Sequence, residues 1–381
     1  MDLSWNKEQI ALHEKFAAFG REEVAPRAAD LSKAHTFDRE SWDKLCASGF
    51  WRLVVPEAYG GSGKGWWHFS AALEGLSQTA CDGGFIMAVI GQAAFLRGLE
   101  LMGTEEQKAR CFPALLNGTL TATAIAEPHS GTDMADIRST ATHADDRLLL
   151  TGDKYNISMA PDAEWLLVLA RMPHLGARDR VALLLEGDRS GIHRGPSQEK
   201  LGNRTIPTSW LHFENVEVSE ADVLGDPGRG MRALVQVGAL SRVYYGWMGG
   251  QLLKPLLEVV MGRLAERRSF GRVISERQHV QRKLADVAAG ISQSRWTGMG
   301  ALGQLLRGDS EALLTGSVAK LKGAEAFLEG ARDLMSLMGS DGYMEGLAER
   351  LFRDAAGWIT AGGTEEVHLI NIFKQMQRLR S

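Results

Sequence analysis

TLTATAIAEPHSGTDMADI, residues 119–137, is where the chain changes its period. Before it, apolar residues recur every three or four positions. From Thr119 to Ala126 threonine alternates with apolar residues, the spacing of a half-buried strand. Downstream, RLLLTG (147–152), EWLLVLAR (164–171), RVALLLEG (180–187) and SWLHFENVEV (209–218) are short apolar runs divided by turn residues. Several short strands within about 100 residues predict a small β-barrel or sandwich. No helical segments alternate with these strands and no GxGxxG follows one, which excludes a nicotinamide-binding doubly wound sheet.

On either side the pattern is helical. Ser4 is placed to cap a first helix whose apolar side includes Leu12, Phe16 and Phe19; Trp42 and Leu45 continue the pattern in a second. Helical periodicity returns over 67–81 and 84–102. Between these segments PEAYGGSGKGWW (56–67) superficially resembles a phosphate loop, but the glycine spacing is wrong and no Ser or Thr follows Lys64, so it reads as a tight turn. After Gly230 long helices are expected over 231–268, 275–307 and 311–338, with a last one after Thr364 and a kink at Pro255. The fold class is therefore α+β multidomain: an N-terminal helical domain (1–117), a central β domain (118–229) and a C-terminal four-helix bundle (230–381).

The totals are those of an ordinary globular chain: 381 residues, 44% hydrophobic, 24% charged, formal net charge −4. Such a charge gives no reason to expect a nucleic acid or an anionic membrane as partner. Cys46, Cys81 and Cys111 lie far apart with no CxxC pair, and neither a signal core nor a run of 18 apolar residues occurs; a cytoplasmic protein with idle thiols is expected.

Four motifs, in this order, resemble the acyl-CoA dehydrogenase family of flavoproteins over essentially the whole chain. AIAEPHSGTDMADI (124–137) is similar to the family's strand-and-turn signature, KLGNRTIPTSWLHFENVEV (200–218) to its KLG segment, ERRSFGRVISERQ (266–278) to its helix junction, and ERLFRDAAGWITAGGTEEV (349–367) to its ending. The resemblance implies FAD. By that resemblance Thr123, Ile125, Ala126 and Thr132 line the flavin and pyrophosphate, with Ala126 where the family often has Thr. Ser158 lies near the flavin N5, and Asn156 replaces a shielding Trp. Arg267, Phe270 and Gln278 reach the FAD of a neighbouring subunit, in a homodimer or homotetramer, an arginine suiting a pyrophosphate by its two-pronged donor set. Ser336 and Ser340 fall at the adenosine half in place of Gln and Gly, and Thr364 and Glu366 complete the cofactor side. An electron-transfer flavoprotein is the family's usual electron partner.

Family dehydrogenases abstract the α-proton of an acyl thioester with a glutamate, from the EGT loop or from just before an arginine of the first bundle helix. Reading by spacing from Arg353 and from Arg267, those positions are Gly362 and Ser241, with Arg242 as the substrate-side arginine. Neither holds a carboxylate. Glu365, Glu366, Tyr244, Tyr245 and His129 are the substitutes weighed. Gly238 and Ala239 stand where the family has an acid near CoA, which leaves a carrier-protein thioester open beside a CoA thioester. The resemblance thus implies an FAD-dependent oxidoreductase on an acyl thioester, with another base or in the reductive direction taken by family members with glycine at this place. A flavin-dependent monooxygenase of the same fold and a non-catalytic flavin-binding scaffold are the alternatives. In the family's substrate pose, Gly362→Glu is expected to create dehydrogenase activity.

Overall fold

The computed structural model describes residues 4–131, 133–227 and 230–378. Six helices come first: α1 (Lys7–Phe19), α2 (Ala25–Ala34), α3 (Arg39–Ala47), α4 (Trp66–Ser77), α5 (Gly83–Met102) and α6 (Glu105–Leu116). The cap of α1 is Asn6 rather than Ser4. Its side chain accepts from the Gln9 amide while Gln9 Oε1 accepts from the Asn6 amide, both at 2.9 Å, so two otherwise orphaned donors are satisfied together. Helix α5 is apolar on nearly every side and long enough to cross a membrane, yet most of it is buried in the fold, with Phe85, Ile86, Val89, Ile90 and Ala93 fully covered. A helix surrounded by other elements has no wet face to make polar.

The strands β1 (Thr121–Ala124), β2 (Thr140–Ala144), β3 (Arg147–Ser158), β4 (Trp165–Arg171), β5 (Arg180–Glu186), β6 (Ile192–Arg194) and β7 (Thr208–Val218) form one sheet in the order β1-β4-β2-β3-β7-β6, with β5 also paired to β4. β1 and β4 run parallel, and β3 pairs antiparallel with β7. The continuous apolar runs of β4 and β5 are explained by burial on both faces.

The last part contains α7 (Gly230–Gln251), α8 (Lys254–Glu266), the two-stranded hairpin β8 (Arg268–Ser269) and β9 (Arg272–Val273), α9 (Gln278–Arg307), α10 (Ala312–Leu337), α11 (Ser340–Tyr343), α12 (Leu347–Trp358) and α13 (Glu365–Arg378). The segment expected as one kinked helix is two. Pro255 sits in the first turn of α8, where a missing amide donor costs nothing, and the chain breaks just before it. The hairpin and α11 are too short for periodicity to reveal; α12, 12 residues with Ala348, Leu351, Ala355 and Trp358 buried on one face, is an amphipathic helix missing from the elements expected above. Helices α7 and α10 touch backbone to backbone: a Cβ built on Gly323 would lie 1.8 Å from the Gly246 carbonyl oxygen. One buried carboxylate joins the first and last helical parts. Glu74 of α4 accepts from Trp5 Nε1 (2.9 Å), Trp247 Nε1 (3.0 Å) and Arg295 Nε (2.7 Å).

Candidate active site

Strand β1 carries Ile125 and Ala126 just beyond its end to the edge of a cavity. Thr121 Oγ1 donates to Gln92 Oε1 at 2.8 Å and Gln92 Nε2 donates to Thr119 O at 2.9 Å, which locks β1 to α5. The following turn is organised by Glu127. Its carboxylate accepts from the amides of Arg138 (2.7 Å) and Ser139 (3.0 Å), from the Ser139 hydroxyl (2.7 Å) and from Lys154 Nζ (2.7 Å). Lys154 Nζ also donates to Ile125 O at 3.1 Å. Burial works against the charge of both groups. Donors from Lys154 and Ser139 nonetheless hold the Glu127 carboxyl below its ordinary range, while desolvation pulls Lys154 below its own. Residue type alone does not reveal this pair. The signal is the alternation of β3, which turns Lys154 to the same buried side as Leu148 and Leu150.

Past Lys154 the pairing of β3 with β7 slips before Ile157, and Asn156 takes φ 55°. Asparagine is one of the few residues that accept this left-handed conformation, and bulges of this kind re-aim side chains beside sites. Asn156 and Ser158 both border the cavity.

Two chambers meet there. One, about 360 Å³, is lined from β1, β3, α5, α7 and the loop before α13; the other, about 750 Å³, from β3, the KLGN loop, α12 and that same loop. Asn156, Ser158, Tyr245 and Gly362 border both. Among the described residues no Asp or Glu borders either chamber. The cations are Arg242 in the first and Lys200 and Arg353 in the second. Arg353 is neutralised by Glu349, with Nε to Oε2 at 2.6 Å. Lys200 donates to Thr208 Oγ1 at 2.8 Å and to Ile206 O, and burial pulls it down to about 8.

The glycine loop is held by cations rather than by acids. Gly362 and Gly363 have φ 71° and 117°. Lys320 Nζ donates to the carbonyls of Ile359 and Gly363, the latter at 2.7 Å, and Arg242 Nε donates to Gly362 O at 3.4 Å. Tyr245 covers Gly362: a Cβ built at 362 would fall 2.8 Å from Tyr245 Cδ2. Its ring is fixed edge-on against Trp358, centroids 5.3 Å apart. The Tyr245 hydroxyl has no hydrogen-bond partner among the described residues, and burial pushes its pKa up, so it stays protonated. Next to the loop His368 is fully buried; burial first, then Lys320 and Arg242, push it down to about 4 and keep it neutral, against the opposing pull of the Gly363 and Gly362 backbone.

Of the residues expected to serve, Thr123, Ile125, Ala126, Asn156, Ser158, Ser241, Arg242, Gly362 and Thr364 come together at these chambers. Thr132 lies outside the described residues. Glu366 stands in the first turn of α13, its carboxylate accepting from the Thr364 hydroxyl, and borders neither chamber. Arg267 and Phe270 belong to the β8–β9 hairpin region, where Phe270 is 96% exposed, and Gln278 opens α9. Ser336 near the end of α10 accepts from Lys283 Nζ at 3.3 Å, and Ser340 opens α11. Within one chain none of these five borders the chambers. Among the substitute bases, Glu365 borders a separate cavity beside Lys320, His129 is tied to Asp136 O at 2.8 Å, and Tyr244 is buried against the Ser70 hydroxyl at 2.9 Å. Only Tyr245 of that group reaches the site.

Comparison with known proteins agrees with this architecture along the whole chain. Residues 6–119, 122–216 and 228–377 match the N-terminal, middle and C-terminal domains of acyl-CoA dehydrogenase. Benzylmalonyl-CoA dehydrogenase of Aromatoleum aromaticum is 31% identical, across 99% of this chain and 100% of the relative. Among solved structures, the prolyl acyl carrier protein oxidase AnaB superposes with a TM-score of 0.93 at 27% identity, over 98% of this chain and 100% of that one. Butyryl-CoA dehydrogenase from Megasphaera elsdenii does so with 0.92 at 25%, over 99% and 100%. The chain belongs to the acyl-CoA dehydrogenase family, whose members are FAD-dependent oxidoreductases.

Proposed function

We propose that this chain binds FAD in the joined chambers and reduces an acyl thioester, carried on CoA or on a carrier protein, with no protein carboxylate at the substrate's α-carbon. The observation that carries the reading is the acid-free lining, with Gly362 and Ser241 at the two places where the family keeps its base. The walls suit the cofactor. Thr123, Asn156 and Ser158 border the first chamber with side chains that have no hydrogen-bond partner among the described residues, as a ring system rich in nitrogen and oxygen requires. Thr123, Ile125, Ala126, Asn156, Ser158 and Thr364 would hold it within one chain. On this reading Arg267, Phe270, Gln278, Ser336, Ser340 and Glu366 serve the cofactor of a second copy in a homodimer or homotetramer, and an electron-transfer flavoprotein supplies electrons.

Bound FAD would supply hydride exchange at the β-carbon. The chain's own task is the proton. Oxidation needs a positioned base at the α-carbon, worth on the order of 10²–10⁴ in rate, and no carboxylate of the described residues borders the chambers to provide it. Reduction needs a donor instead. Water entering the wider chamber meets that need.

The test is anaerobic mixing of the FAD-loaded protein. Dithionite-reduced protein should be reoxidised by short 2-enoyl thioesters, whereas saturated thioesters should leave oxidised flavin coloured. Rapid bleaching by saturated thioesters would reverse the direction. Oxygen-dependent substrate consumption with a hydroperoxyflavin absorbance would point to a monooxygenase, and failure to take up FAD to a scaffold.

A further inference from the structure

Among the described residues the narrower chamber is bordered by a cation and by no carboxylate. Gly238, Ser241, Arg242 and Tyr245 follow one another on α7 at the spacing that puts them on one face. That face borders the chamber. Of the donors of Arg242, Nε alone is engaged, by a long 3.4 Å bond to Gly362 O, and no carboxylate pairs with this arginine among the described residues. Tyr245 adds a free hydroxyl on the same face, and Ser241 spends its own proton on Gly238 O at 3.0 Å. Behind the loop, Lys320 adds a second cation, whose nearest acid, Glu365, lies outside the chamber. His368 stays neutral and offers no compensation. A half-buried guanidinium in the wall of a cavity with no carboxylate beside it can take a ligand anion by charge-assisted hydrogen bonds.

The wall that α5 contributes is apolar. Met87, Gly91 and Ala94 present one face of α5, and side chains built on Gly91 or Gly238 would meet nothing within 4 Å. The chamber therefore has room for a hydrocarbon segment leading to the cationic end.

We infer that the acyl group itself carries a carboxylate, bound by Arg242 and the Tyr245 hydroxyl, so that the ligand brings to this chamber the negative charge that the chain lacks at position 362. This rests on the thioester reading above and names its substrate class: the monothioester of a dicarboxylic acid.

The probes are glutaryl-pantetheine and pentanoyl-pantetheine, equal in chain length and sharing the arm common to CoA and carrier proteins. Binding to the oxidised FAD-loaded protein is measured by calorimetry and by the flavin absorbance shift, without turnover. Glutaryl-pantetheine should bind about tenfold tighter than pentanoyl-pantetheine, as a charge-assisted hydrogen bond to a half-buried arginine implies. Arg242→Gln should abolish that ratio, and Tyr245→Phe should reduce it severalfold with flavin content unchanged. Equal binding of the two probes by the unmodified protein, or tighter binding of the pentanoyl probe, overturns the inference while leaving the thioester reading intact. Binding of neither probe by protein that retains FAD overturns both.

Discussion

Gly362 is both the place of the missing base and a position with little tolerance for any side chain. Its φ of 71° disfavours L-residues, and Tyr245 already occupies the volume where a Cβ would go. Gly362→Ala is expected to cost about 1–3 kcal/mol, read as a lower denaturant midpoint. The same contact changes what restoring the acid should achieve. Gly362→Glu alone is expected to leave oxidised flavin unbleached by saturated thioesters, because the tyrosine ring bars the carboxylate. Gly362→Glu combined with Tyr245→Ala should bleach it. Bleaching by the single variant would show that Tyr245 moves aside freely. Burial also pushes the thiols of Cys46 and Cys111 up to about 12 and that of Cys81 to about 11. At pH 8 a thiol with such a pKa is ionised to only about 10⁻⁴–10⁻³, so a disulfide reagent should titrate all three only as the chain unfolds.

The elements around the site are held by buried polar hubs. Lys154 and Glu127 tie β3 to the turn after β1, and each is almost completely covered. Lys154→Met leaves a buried carboxylate without its cation and is expected to cost about 3–5 kcal/mol. Adding Glu127→Gln should recover part of the loss in a double-mutant cycle, since the remaining penalty is an uncharged one. If the double variant is less stable than the single one, the amide contacts of Glu127 matter more than its charge. The bulge that follows is legible only in part. An asparagine at a strand position hints at irregular backbone, but the slip of β3 against β7 depends on a partner strand distant in the chain.

Across the whole molecule, Asp82 and Asp354 join α5, the KLGN loop and α12. Asp82 caps α5 through the Phe85 amide at 2.9 Å and accepts from the Thr205 hydroxyl at 2.6 Å, while Asp354 accepts from the amides of Asn203 and of Gly83, the latter at 3.1 Å. Burial first, and the charge of Asp354 second, raise Asp82 to about 6. Between about pH 4 and 6 the folded chain keeps a proton that the unfolded chain has released, so this contribution is present below that window and lost as pH rises through it. Two pK units correspond to about 3 kcal/mol. Asp82→Asn keeps the cap and is expected to gain stability relative to the parent between about pH 4 and 7, measured by urea midpoints; a constant difference would place the proton elsewhere. The sequence by itself determined the order of helices, sheet and bundle, because apolar periodicity records which face of each element is buried. Four local motifs likewise determined the family. Only the tertiary structure decided that Tyr245 fills the space beside Gly362, that Arg242 meets the carbonyl of a residue 120 positions away, and that no described acid reaches the chambers. Those facts depend on which distant side chains packing brings together, and neither period nor motif encodes that.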